Sequence, residues 1–358
     1  MTESASLQDD KGATHSRYNR IVAAFVLATS ATVYFLTMAP TVVFWDVGEF
    51  IAAAHLLQVP HPPGSPLFLL ATKLAMMVPF ITDLAMRAHA FSALCSAVAI
   101  MFVYLVIAKV VIHFHGIPAS VIDRVAVYGS GIIGAFALAF STTYWDNSIE
   151  AEVYGVSMLF LTAIMWLAFR WLERSEKPGN EKYFLMIAYL IGLSLGVHLL
   201  ALLTIFPVLM MIYFRKFEFS PKSFILSLLV AAGVFFVVYP GIVKFFPDMM
   251  DGNFRGTHNQ VVAALPWLLI GAVVYGVYRT FQKKQHVAHI ALLSILLIFI
   301  GYTTYTVVLI RANTAVPMNE NDPSNLERLT SYLGREQYGN APLIMPRRYS
   351  EEPHQQGI

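Results

Sequence analysis

The sequence predicts an all-α polytopic membrane protein: about nine transmembrane helices, with short amphipathic or re-entrant helices on the outer face after the first span. Three observations lead there. The 358-residue chain is 57% hydrophobic and 13% charged, against roughly 25% charged in soluble domains, and its mean hydropathy is +0.61. Apolar stretches approaching the roughly 20 residues needed to cross hydrocarbon recur along its length. Lys and Arg gather in alternate connections, as the positive-inside bias requires. A net charge of +2 supplies no field for nucleic acid. The single cysteine, Cys95, lies in an apolar run and excludes both a disulfide framework and a thiolate metal site.

Residues 1–19 are polar and carry Lys11 and Arg17, which predicts a cytoplasmic N-terminus. The apolar run 20–38 that follows has no small-residue cleavage site and reads as a signal anchor. Further spans are predicted over 88–111, 125–141, 153–171, 183–197, 199–214, 223–240, 261–280 and 287–310. The stretch 66–82 is short and interrupted by Lys73 and Pro79, so it is not expected to cross. The basic groups Arg170, Arg174, Lys177 and Lys182, then Arg215, Lys216 and Lys222, then Arg279, Lys283 and Lys284 fall on the inner side. That parity requires 183–214 to be two short spans meeting near His198. It places the loops 39–66 and 142–153, His198, the loop 240–260 and everything after Arg311 on the outer side. The segment 312–358 turns polar, with a helix-like stretch from Ser324 to Tyr338. It is too short for a core of its own, and is expected to be the start of a longer outer portion.

The candidate chemistry sits in those outer segments. Asp46 and Glu49 are three residues apart, which puts both carboxylates on one face of a helix starting near Val47. Such a pair can hold a divalent metal, or one member can act as a base while the other tunes it. Asp-x-x-Glu before an apolar run is also a capping box. His61 opens His-Pro-Pro-Gly-Ser-Pro, where proline stiffens the chain and holds the imidazole in place. His55, further along the same short helix, reads as interfacial packing. A second acidic group, Asp146, Glu150 and Glu152 beside Tyr154, stands at a span entrance and can meet the first loop in space. Acidic residues at a positive helix end explain part of that pattern without chemistry. Arg87, Lys73 and Arg311 are candidate phosphate partners, against the plainer role of interfacial snorkelling. His198, between two short spans, is a polar group in need of a partner. No Walker loop, His-Glu-x-x-His, Gly-x-Ser-x-Gly or Cys-x-x-Cys motif occurs.

Ala39-Pro-Thr-Val-Val-Phe-Trp-Asp46-Val-Gly-Glu49-Phe, His61-Pro-Pro-Gly-Ser-Pro, Glu150-Ala-Glu-Val-Tyr154, Gly196-Val-His198 and Arg335-Glu-Gln-Tyr-Gly339 together resemble a family of bacterial membrane proteins. That family is common in Bacteroidota, was long described only as a domain of unknown function, and has a vertebrate relative that is a protein O-mannosyltransferase. It looks like a branch of the GT-C glycosyltransferases. The resemblance implies a GT-C-like bundle over 20–311 in the bacterial inner membrane, with the active site and C-terminus on the periplasmic face. It implies a polyprenyl-phosphate-linked sugar as donor, a protein hydroxyl as acceptor and membrane lipid as surroundings. Asp46 is then the base or metal ligand with Glu49 beside it, and a divalent metal at Asp46 and Glu49 is the one cofactor implied. Arg87, with Lys73 or Arg311, would hold phosphate, and Glu150, Glu152 and His61 would shape the pocket. A transporter or flippase for a lipid-linked or anionic solute, and a non-catalytic membrane subunit, are the alternatives. Carboxylates gathered in one cleft would favour the enzyme, whereas carboxylates scattered round the rim would favour the others.

Overall fold

The computed structural model describes residues 2–79, 81–254 and 257–339; the rest of the predicted outer tail, 340–358, lies outside the described residues. Within them the chain is helical apart from one two-residue hairpin, Asn253–Phe254 with Thr257–His258, and a single parallel bridge. Among the described residues, eight helices are long and apolar enough to cross a membrane: His15–Thr37, Leu84–His115, Val121–Ala139, Val153–Leu172, Leu199–Lys216, Pro221–Met250, Gln260–Gln282 and His286–Ala312. The protein is therefore an all-α, multi-pass membrane protein.

The predicted short span 183–197 corresponds to a helix shorter than these spans. Glu181–Leu195 has 15 residues and rises only about 22 Å at 1.5 Å per residue. It ends at Gly196, where the chain breaks before resuming as a 3-10 turn over Leu199–Thr204. Close backbone packing, rather than a long apolar face, holds this short helix. A Cβ on Gly192 would stand 2.4 Å from the Ile298 carbonyl oxygen, and one on Gly301 would stand 2.4 Å from the Gly192 carbonyl carbon. Small residues of this kind let helices approach within a bilayer, where hydrophobicity does not distinguish lipid from protein.

Two further short helices follow the first span, Val47–Leu56 and Pro66–Met76. At 11 residues the second reaches about 16 Å, so it does not cross. Sequence sets its start, since Pro66 is at the first helical position, where its missing N–H costs nothing. The Leu84–His115 helix begins where the Asp83 carboxylate accepts from the Met86 amide at 2.9 Å.

The loops are drawn together at one end of the bundle. The Ala39 amide donates to the Ile149 carbonyl at 3.1 Å, joining the first and second loops, and the Leu67 amide donates to the Gly196 carbonyl at 2.8 Å. The Ser65 hydroxyl donates to the Val197 carbonyl at 2.8 Å. The segment after the last span returns to the same place, where Asn319 bridges Val59. The carboxylate-bearing segments, assigned to one side by charge counting, thus share one end.

Candidate active site

Asp46 directly precedes the Val47–Leu56 helix, but its side chain makes no capping hydrogen bond. The capping box that Asp-x-x-Glu suggests is not formed. Val47, Phe50, Ile51 and Ala54 bury one face of the helix, which leaves Glu49 on the face toward the returning chain. There its Oε1 accepts from the His61 backbone amide at 2.5 Å, and its Oε2 meets His61 Nδ1 at 2.8 Å. The far ring nitrogen, Nε2, lies 3.9 Å from Asp46 Oδ2. One imidazole therefore joins both carboxylates of the first motif. The Phe50 ring, 5.4 Å from that of His61, backs it on one side.

Local chain geometry aims His61. Gly64 adopts φ +85°, a left-handed conformation open to glycine. A Cβ there would stand 2.4 Å from the Tyr332 hydroxyl. Phe44 and Trp45 just before Asp46 are 96% and 89% exposed, so Asp46 stands at the edge of an uncovered aromatic pair.

The electrostatics separate the acidic groups. Burial pushes the Glu49 carboxyl up, but the hydrogen bonds from His61 outweigh it and hold Glu49 below its ordinary value. The same bond, helped by Asp46, raises His61. Both shifts favour a carboxylate–imidazolium pair. Glu152, 7% exposed, is raised to about 7 by burial and then by the charge of Asp46. Glu150 is raised by partial burial and Asp146, whereas Asp146 itself is exposed. Glu152 thus adjoins the first motif, with Glu150 behind it. Tyr154 is exposed, and its ring lies 5.4 Å from that of His198. The His198 Nδ1 accepts from the Leu200 amide at 3.2 Å, which gives this histidine a structural partner. His55 is exposed.

The three predicted phosphate partners each donate to backbone carbonyls. Lys73 donates to the His55 carbonyl. Arg87 donates to the carbonyls of Ile81 and, at 2.6 Å, Met76. Arg311 donates to the Leu57 and Leu56 carbonyls at 2.6 and 3.0 Å. The carbonyls of Leu56, Leu57 and Met76 belong to helix ends, which leave such oxygens unsatisfied and carry partial negative charge. These hydrogen bonds tie the three cations to the frame of the site and leave further N–H donors on each.

Sequence reasoning missed two contributors, Glu320 and Tyr332. The charge of Glu320 reaches Glu49, His61 and Asp46. The Tyr332 side chain is fully buried, and its hydroxyl donates to the Pro60 carbonyl at 2.5 Å. The one available signal was the polar, acid-bearing stretch Met318-Asn-Glu-Asn-Asp-Pro directly after the last span.

Asp46, Glu49 and His61 can each offer one ligand atom within 4.8 Å of the others. The spacing would admit a divalent ion, since the Glu49 oxygens keep lone pairs beyond their contacts with His61. Those contacts and the raised His61 also fit a proton-sharing trio.

A multi-pass bundle that gathers two carboxylates, an imidazole and a buried third carboxylate at one end defines a membrane protein with a candidate acid–base centre. Residues 46–220 match the family described as the protein O-mannosyl-transferase TMEM260 N-terminal domain, a match that starts at Asp46. Protein O-mannosyl-transferase TMEM260 of Mus musculus is 32% identical over 204 residues, covering 57% of this chain and 27% of the mouse protein. Its Dictyostelium discoideum counterpart is 30% identical over 165 residues, covering 46% of this chain and 18% of that protein. The chain is related to these proteins through that region, and its match spans about a quarter or less of their length. No solved structure matches the chain significantly.

Proposed function

We propose that this chain carries the membrane-embedded centre of a glycosyltransferase. It would move a sugar, mannose or another hexose, from a polyprenyl-phosphate donor to a Ser or Thr hydroxyl of a protein. In this reading the centre faces the periplasm across a bacterial inner membrane, with the N-terminus in the cytoplasm. The observation that carries it is the Asp46–His61–Glu49 trio at the end of the bundle where the loops converge. Similarity to proteins named O-mannosyl-transferases supports the reaction class.

Asp46 is the base. Its carboxylate is uncapped and 44% exposed, so an acceptor hydroxyl can reach it. As that hydroxyl oxygen forms its bond to the anomeric carbon, its proton passes to Asp46. The bond between the anomeric carbon and the phosphate oxygen breaks, and polyprenyl phosphate leaves with the electron pair. Glu49 holds His61 in position and in its charged form, which places positive charge beside the base and the departing anion. Glu152, near half-titration at neutral pH, can exchange a proton with Asp46 between turnovers. Glu150, Tyr154 and His198 line the approach, while Lys73, Arg87 and Arg311 fix the helix ends.

The test is transfer of radiolabelled sugar from a polyprenyl-phosphate donor to membrane protein, using the longest natural form of the chain beside Asp46→Asn. The variant is expected to insert normally and lose transfer. Unaltered turnover in Asp46→Asn would remove the assignment.

A further inference from the structure

The segment after the last span bears on the site in a way that neither the first two motifs nor the family match over 46–220 covers. Residues 318–320 lie alongside 58–59. The Met318 amide donates to the Gln58 side-chain oxygen at 2.7 Å, the Val59 amide to the Met318 carbonyl at 3.1 Å and the Glu320 amide to the Val59 carbonyl at 3.0 Å. Asn319 is tied by its side-chain amide to the Ala312 carbonyl at 3.2 Å and to Asp322 at 3.1 Å. Tyr332 clamps the neighbouring turn through Pro60. Glu320 is thus delivered beside the His61 turn by a fixed backbone.

The carboxylates of this segment have different fates. Asp322 pairs with Arg328, and Glu336 accepts from Ser331 at 2.8 Å. The Glu320 carboxylate is partly exposed, and among the described residues it makes no side-chain hydrogen bond or ion pair. Its oxygens are open to solvent or to the O–H groups of a ligand. The nearest groups do not hold it: Nδ1 of His61 meets Glu49, Nε2 lies 3.9 Å from Asp46 Oδ2, and Asp46 and Glu49 are themselves acceptors.

We propose that Glu320 is a substrate-binding residue whose carboxylate accepts hydrogen bonds from hydroxyl groups of the transferred sugar. The proposal rests on the glycosyltransferase reading and names the ligand class of the same site. A polyol is the complement of this wall: it brings O–H donors in fixed directions to acceptors that lack them. Hydrogen bonds to a charged acceptor are about twice as strong as neutral ones, so Glu320 sets affinity and selects hydroxyl configuration. Asp46 keeps the proton transfer.

The experiment compares full-length wild type with Glu320→Gln and Glu320→Ala. In Glu320→Ala, KM for the polyprenyl-phosphate sugar is expected to rise about tenfold, equivalent to ~1.4 kcal/mol, with kcat within about twofold. Glu320→Gln, whose amide oxygen still accepts, should lose less, and the variants should discriminate less between hexoses that differ in one hydroxyl. An unchanged KM overturns the proposal, as does a loss of kcat and thermal stability together, which marks a merely structural residue. A second arm is independent of turnover: thermal shift of the purified proteins by methyl mannoside. If wild type transfers no sugar, the glycosyltransferase reading fails separately. Glu320 is then still supported if the sugar stabilises wild type and not Glu320→Ala, and is overturned if neither or both respond.

Discussion

Replacing Glu49 by Gln tests whether the first motif works as a unit. The carboxylate takes two hydrogen bonds from one residue, at 2.5 Å from the His61 amide and 2.8 Å from its ring. Both side chains are about four-fifths covered, so solvent screens the pair only in part. Gln keeps one acceptor oxygen but loses the charge. Its NH2 group would face the Nδ1–H, or the ring must change tautomer. A hydrogen bond to a charged group is worth about 1.5–3 kcal/mol, so misplacement of His61 should slow transfer roughly 10- to 100-fold. Asp46 is untouched, and the variant should insert normally. The assay pairs steady-state transfer with titration of His61 by NMR in detergent-solubilised protein. In wild type, His61 should titrate above the ordinary histidine value of 6.5, and in Glu49→Gln it should fall back toward it. The sign follows for stability. The contribution of the lowered Glu49 is complete above its ordinary 4.5 and is lost as pH falls through its folded value. The contribution of the raised His61 is complete below 6.5 and is lost as pH rises through its folded value. The pair is therefore strongest between about 4.5 and 6.5, the two ordinary values. A variant with unchanged His61 titration and transfer within twofold of wild type would refute the coupling.

Two other substitutions probe the frame. Glu152 is raised from 4.5 to about 7, so ionising it opposes folding. The gain in Tm of Glu152→Gln over wild type should grow as pH rises from about 4.5 to 7 and then level off; a pH-independent difference would contradict the burial argument. At Gly64, φ is +85° and a Cβ would meet the Tyr332 hydroxyl at 2.4 Å. Gly64→Ala should therefore cost about 2 kcal/mol or more in stability, read by thermal unfolding in detergent. Adding Tyr332→Phe removes the nearest clashing atom, so the double variant should recover part of that loss, and strictly additive losses would count against the contact.

Much of the fold was legible because hydrocarbon demands apolar length, and length is written locally. The first span, the non-crossing helix after Pro66 and the break at Gly196 to His198 all follow from runs of apolar residues and their interruptions. The short Glu181–Leu195 helix was expected as one of two short spans, but its packing of Gly192 against Gly301, more than a hundred residues away, was not legible. The site divides the same way. Asp46, Glu49 and His61 were visible as a dense motif, since carboxylates and imidazoles stand out against an apolar background. That Glu49 binds His61 rather than capping its own helix was not visible, because both uses fit the same spacing.

The sequence by itself determined the class of the molecule, the candidate carboxylates and histidine of its first outer motif, and the segments that hold them. Only the tertiary structure decided what each charge does. It turned Lys73, Arg87 and Arg311 onto backbone carbonyls and brought Glu320 and Tyr332 to the His61 turn from the far end of the chain. The reason is physical: a charge in a partly desolvated setting must be satisfied by whatever donor or acceptor folding places beside it, and that neighbour is fixed by contacts between residues remote in sequence.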